Sequence, residues 1–164
     1  MNKYLIKLSA MSSEATSLPY RDRVEVVIRK GDQYLVTKNV NKDSGDSWLG
    51  FPGGGVDSLT EKQACIEECL EEVGIRVGNL RLLSVPIHIQ EGMSKKKNRH
   101  LKYRGSKTKW YLADYLEMDR SQLGDDGDSR QYAWESLQEA LKGVQKGRGM
   151  GRPRSLALKA SESL

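Results

Sequence analysis

The chain has 164 residues, of which 37% are hydrophobic and 30% charged, and its net charge is +5. That length fits one domain with a real core, the composition is that of a soluble globular protein, and no apolar run approaches the ~20 residues of a membrane-spanning helix. Only two cysteines occur, Cys65 and Cys69, and four residues of separation excludes a disulfide framework and offers too few ligands for zinc; both read as reduced structural thiols, which suits a cytoplasmic protein.

The first eight residues are basic and then apolar, but Lys7 interrupts them before they reach the length of a signal-peptide core, so they read as a first strand. Residues 22–30 are rich in β-branched side chains and end at Gly31 and Asp32, after which residues 34–37 resume the strand pattern, predicting a hairpin. A polar loop over 39–47 leads to Trp48, Phe51, Pro52 and the three glycines Gly53, Gly54 and Gly55. Thr60 with Gln63 matches a capping box and Leu59 with Ala64 a hydrophobic staple; Ile66, Cys69, Leu70 and Val73 then repeat at helical spacing up to a Gly74 cap. Residues 80–89 predict a further strand, 90–109 a polar basic loop, and 110–116 a strong strand. An acidic turn at 125–128 precedes a short strand at 131–134 and a helix from Ser136 to about Gly143. The reading places one domain over residues 1–146 and a basic, partly flexible tail over 147–164 with a short helix at 155–162. Strands and helices interleave without regular βαβ order, which favours a mixed sheet with helices packed on it.

The helix carries four glutamates, Glu67, Glu68, Glu71 and Glu72. Glu68 faces both Glu71 and Glu72, and each like-charge pair at that spacing costs an isolated helix roughly 0.2–0.5 kcal/mol. A divalent cation with a preference for oxygen ligands turns that repulsion into coordination; a plain solvated acidic face is the alternative.

This order of glycine turn, capped helix, paired glutamates, Gly74 and Ile75 resembles the Nudix box, whose pattern is G-x5-E-x7-R-E-U-x-E-E-x-G-U with U aliphatic. Gly53 leads it, and Glu68, Cys69, Glu71, Glu72, Gly74 and Ile75 fall in register, preceded by Trp48 and the aromatic-Pro-Gly-Gly run at 51–54. The resemblance implies an α/β fold of the Nudix type, an α/β/α sandwich with a mixed β-sheet. It also implies hydrolysis of the pyrophosphate linkage of a nucleoside diphosphate derivative, with Glu68, Glu71 and Glu72 as catalytic ligands of Mg²⁺ or Mn²⁺ and with Gly54 and Gly55 against the substrate. Two positions depart from the pattern: Leu59 stands where the family has its first glutamate and Glu67 where it has its arginine, a pair that helps hold loop and helix together. Leu59 offers its staple contact instead, and Glu61 is the alternative source of the missing carboxylate.

Residues 104–112 are similar to the Gly-x-Lys-x-Lys-Trp-aromatic-Leu strand of bacterial RNA pyrophosphohydrolases and dinucleoside polyphosphate hydrolases. On one strand Lys107 and Lys109 project to the same side, where the resemblance has them reach the substrate's phosphates. Downstream, residues 132–140, with Trp134, resemble the family's closing strand and helix, and the resemblance implies that an acidic residue shortly before that tryptophan supplies a further metal ligand or the general base. Counting back from Trp134 gives Asp128, with Asp125 and Asp126 as competitors. Eight of the fifteen residues from Lys95 to Lys109 are Lys or Arg, interleaved with His100 and Tyr103, a pattern that suits RNA or a base-stacking nucleotide; Tyr103 and Tyr20 are the candidate stacking rings. The implied partners are a nucleotide substrate and, second, RNA, with no membrane; the family offers both monomers and homodimers. Dinucleoside polyphosphates, ADP-ribose and triphosphorylated RNA ends remain open as substrates, and a non-catalytic RNA- or nucleotide-binding module is the rival reading.

Overall fold

The computed structural model describes residues 17–124, 131–147 and 149–164, so the expected N-terminal strand and the acidic turn lie outside the described residues. Strands β1 (Tyr20–Lys30) and β2 (Gln33–Val40) form the predicted hairpin, turning at Gly31 with φ +61°. Then come β3 (Ser47–Gly50), β4 (Gly53–Gly55), helix α1 (Glu61–Val73), β5 (Ile75–Leu82) and β6 (His88–Glu91). A short helical turn α2 (Arg99–Lys102), the long strand β7 (Gly105–Met118), β8 (Tyr132–Ser136) and helices α3 (Leu137–Gln145) and α4 (Gly151–Ser161) complete the chain.

The sheet runs β3-β2-β1-β7-β5, with β4 beside β1, β6 beside β7 and β8 beside β2. Its centre is the parallel pair β1 and β7, in register from Tyr20 opposite Gly105 to Arg29 opposite Asp114, while the other pairings are antiparallel. Side chains alternate across a strand. Val24, Val26 and Ile28 therefore join Tyr111 and Ala113 in a core against Ala64, Cys65, Cys69 and Val73 of α1. Val27, Trp110 and Leu112 face the other way, against Ala140 and Val144 of α3 and Ala157 and Leu158 of α4. The result is the expected α/β/α sandwich.

Both ends of α1 close as the sequence predicts. Thr60 and Gln63 make the reciprocal capping box, and Gly74 adopts the left-handed conformation at φ 63°, its N–H bonding the carbonyl of Leu70 at 3.1 Å. Leu59 packs on the same core as Ala64.

Three expectations change. The single strand expected over 80–89 is two, because the Val85 N–H turns back to the Leu83 carbonyl and Pro86 has no N–H to offer a ladder. The basic loop expected over 90–109 ends at residue 104. From Gly105 the chain is already in β7, flanked by β1 and β6, so Lys107 and Lys109 sit on a central strand. The helix expected at 155–162 starts at Gly151 and buries Ser155, Ala157, Leu158 and Ser161 against the sheet. Gly151 fits because a side chain there would press on the carbonyls of Val144 and Gln145, and Pro153 lies in the first turn, where a missing N–H costs nothing.

Arg154 of α4 makes two 2.9 Å hydrogen bonds to the carboxylate of Glu25, which is 2% exposed and also accepts from Trp110 Nε1 at 3.1 Å. Arg154→Ala leaves that buried carboxylate without its cation and should cost about 3–5 kcal/mol of stability, read from urea unfolding, whereas Arg154→Lys should recover part of it.

Candidate active site

The three glycines of β4 lie antiparallel to β1, with Gly53 opposite Glu25, Gly54 opposite Val24 and Gly55 opposite Arg23. Each face of this short strand is used at close quarters. A Cβ on Gly54 would overlap the Glu68 carboxylate, and one on Gly55 would overlap the Arg21 guanidinium, so only glycine lets both side chains lie against the backbone. The Gly53 N–H donates to Glu72 Oε2 at 3.1 Å. Two glutamates of α1 are thus seated on the glycine strand, Glu68 and Glu72 both half-buried, while Glu71 and Glu67 are exposed.

Burial first, and then the negative charges of Glu72 and Glu71, push the Glu68 carboxyl up to about 7 against the opposing pull of Arg23 and Arg21. The Nε of Arg23 is buried and finds no hydrogen-bond partner among the described residues. Among the described residues no group of three His, Cys, Asp or Glu side chains closes on a single point as a ready-made cage. The donor set nevertheless fits a hard cation such as Mg²⁺, which keeps several waters and needs only one or two carboxylates. Glu68 and Glu72 carry carboxylate oxygens close enough for their charges to repel each other, and Glu71 stands on the same turn.

The remaining expected site residues are distributed unequally. Lys107 and Lys109 do share the face toward α1, but with different partners. Lys109 Nζ bonds Glu61 Oε2 at 2.9 Å, and the other oxygen of Glu61 accepts from the Tyr111 hydroxyl at 2.7 Å. Those two hydrogen bonds, from Tyr111 first, hold the Glu61 carboxyl below its usual range. Lys109 is therefore committed to clamping the first turn of α1 onto β7. Lys107 Nζ instead lies 5.4 Å from the ring centre of Tyr20, whose hydroxyl donates to Glu91. Tyr103 closes α2 and lines a cleft of about 520 Å³ with Arg21, Asp57, Lys97, Arg99 and Lys102. Asp128 lies outside the described residues.

Sequence reasoning missed Arg21, Asp57, Glu25 and Arg154. Arg21 and Asp57 meet through hydrogen bonds of 3.1 and 2.9 Å between positions 36 apart, a pairing without local signature. Glu25 did carry a signal. A lone carboxylate inside the run Val24 to Ile28 has to find a buried cation.

The NUDIX domain family model matches residues 19–154. No curated protein gives a significant match. Among solved structures, the chain is similar to a NUDIX hydrolase from Nitrosomonas europaea at 21% identity and TM-score 0.60, covering 87% of this chain and 86% of that one. It is also similar to an ADP compounds hydrolase at 21% identity and TM-score 0.63, covering 90% and 74%. A third, the E. coli ORF135 protein, matches at 19% identity and TM-score 0.58 over 91% and 93%. At these identities the structures support the fold, and the family match supports membership.

The raised Glu68 carboxyl has a pH signature. Its folded value near 7 exceeds the ordinary 4.5, so the folded protein holds this proton more tightly than the unfolded chain. The stabilisation is full below the unfolded value and is lost as pH rises through the folded one. Without divalent metal, Tm should fall between about pH 5 and pH 8, less steeply in Glu68→Gln, and Mg²⁺ should raise Tm more at the upper end. Identical Tm profiles for the two proteins would contradict this assignment.

Proposed function

The chain belongs to the Nudix family, and from that premise we propose that it is a pyrophosphohydrolase that cleaves a nucleoside diphosphate derivative at the glutamates of α1. The observation that carries this reading is the seating of Glu68 and Glu72 on the backbone of Gly53 and Gly54. Glu68, Glu71 and Glu72 would hold Mg²⁺ or Mn²⁺. When bound, such an ion neutralises charge that develops on the pyrophosphate.

The chain's own contribution is position. The Gly53 N–H fixes one oxygen of Glu72, and Gly54 admits the Glu68 carboxylate against the strand, so neither has to reorganise when substrate arrives. Arg21 and Arg23 place positive charge beside Glu68, where a phosphate would meet it. Lys107 is proposed as a further phosphate contact, whereas Lys109 acts through Glu61. The Glu61 clamp also bears on the departures from the box. With Leu59 and Glu67 in place of the family's ion pair, Glu61 with Lys109 and Tyr111 still fastens the start of α1 to the sheet, which supports an enzyme over a drifted binding module.

Release of mononucleotide or phosphate from a nucleotide panel with Mg²⁺ tests the reading. Glu72→Gln and Glu68→Gln should each lower kcat by about 10²–10³-fold. No turnover of any nucleotide, together with tight nucleotide or RNA binding indifferent to Glu72→Gln, would overturn it.

A further inference from the structure

We propose that the cleft between the loop after β4 and the segment 96–103 is a second anion site, which takes the phosphates of a dinucleoside polyphosphate lying beyond the scissile pyrophosphate. The inference rests on the pyrophosphohydrolase reading and names the substrate class for that site.

The cleft is lined by four cations, Arg21, Lys97, Arg99 and Lys102, against one carboxylate, Asp57. Arg21 has only 12% of its side chain exposed and is held by Asp57 through two hydrogen bonds, so its position is built rather than incidental. Asp57 is held below its usual range by the Arg21 hydrogen bonds first, and the charges of Arg99 and Lys102 add to the effect, so these cations converge on one place. The side chains of Lys97, Arg99 and Lys102 make no hydrogen bond or ion pair among the described residues. Two lining residues sit in the left-handed backbone region that is costly outside glycine, Asp57 at φ 49° and Lys97 at φ 54°. Four cations against a single carboxylate leave this cleft with an excess of positive charge that suits a polyanion.

Arg21 joins this cleft to the glutamates. Its guanidinium lies over Gly55, next to the Gly54 seat of Glu68, and its charge reaches Glu68. A phosphate chain anchored at α1 therefore runs toward the cleft. ADP-ribose carries only the two phosphates of its scissile linkage and would bring a neutral sugar there, whereas a dinucleoside tetraphosphate brings further charge. The volume, about 520 Å³, suits a nucleotide-sized group, and among the described residues Tyr103 is the single aromatic lining the cleft, with no row of rings on which a strand of RNA would stack.

The test compares the full-length protein with Arg99→Ala/Lys102→Ala. Inorganic tripolyphosphate, titrated by calorimetry, should bind the wild type and bind the double variant about tenfold or more weakly, with a shallower dependence on salt. In turnover, the ratio of kcat/KM for diadenosine tetraphosphate to that for ADP-ribose should fall about tenfold in the variant. Equal tripolyphosphate affinity in the two proteins, or an unchanged ratio, overturns the site. A 5′-triphosphorylated oligoribonucleotide cleaved in preference to the tetraphosphate overturns the assignment to a small nucleotide. If tripolyphosphate binding is lost in the variant but neither protein cleaves any nucleotide, the anion site stands and the hydrolase reading falls.

Discussion

Holding Glu68 and Glu72 against the backbone of β4 is the constraint on which the rest of this structure depends. Burial and like charge both oppose it, as the upward displacement of the Glu68 carboxyl records. A helix carrying such a group stays in place only if it is fastened along its length. At its start the capping box satisfies the Thr60 and Gln63 backbone amides, and Glu61 binds Lys109 and Tyr111 on the central strand. Along its middle, Cys65, Cys69 and Val73 are almost wholly buried in the core, and at its end Gly74 closes the last turn. Burying each such side chain contributes on the order of 1–3 kcal/mol, enough in sum to exceed a few tenths per repulsive pair.

The glycine strand needs fastening from its other side as well, and β1 does this. Glu25 lies opposite Gly53, pressed so close that a side chain on Gly53 would collide with it, and its carboxylate is fixed by Trp110 from β7 and Arg154 from α4. A buried ion pair adds little net stability over a well-packed apolar pair, because both charges lose their water. What it does add here is registry: one acceptor pair on β1, one indole on β7 and one guanidinium on α4 meet in a single arrangement. The last helix is thereby tied to β1, which flanks the glycine strand whose Gly53 N–H holds Glu72.

How much of this was legible in the sequence follows from range. The hairpin, the capped helix and the carboxylate spacing are written in residues a few positions apart, where periodicity and capping chemistry suffice, and all stand in the structure. The sandwich followed from the same local patterns together with the resemblance. The kink at Pro86 was missed because residues 80–89 are apolar enough to hide a break. Helix α4 was shortened because glycines and arginines at 147–152 have the composition of a linker, and only tertiary contact shows that Gly151 is there to fit against Gln145. Contacts between distant positions, Arg21 with Asp57 and Glu25 with Arg154, have no local trace beyond an isolated charge in an apolar strand.

The two lysines of β7 show why strand alternation identifies a face but not a role. Lys107 and Lys109 project to the same side, yet what each does is decided by what packs opposite. Helix α1 brings Glu61 over Lys109 and neutralises it, whereas Lys107 lies beyond the start of the helix, with its Nζ 5.4 Å from the Tyr20 ring centre. The same displacement explains the altered box. In this chain the helix is held to the sheet by a carboxylate two residues later than the pattern places it, so position 59 is free to be apolar and Glu67, exposed to solvent, has no partner carboxylate to serve. Glu61, through Lys109 and Tyr111, thus fastens the start of α1 to the sheet without a charge pair between positions 59 and 67.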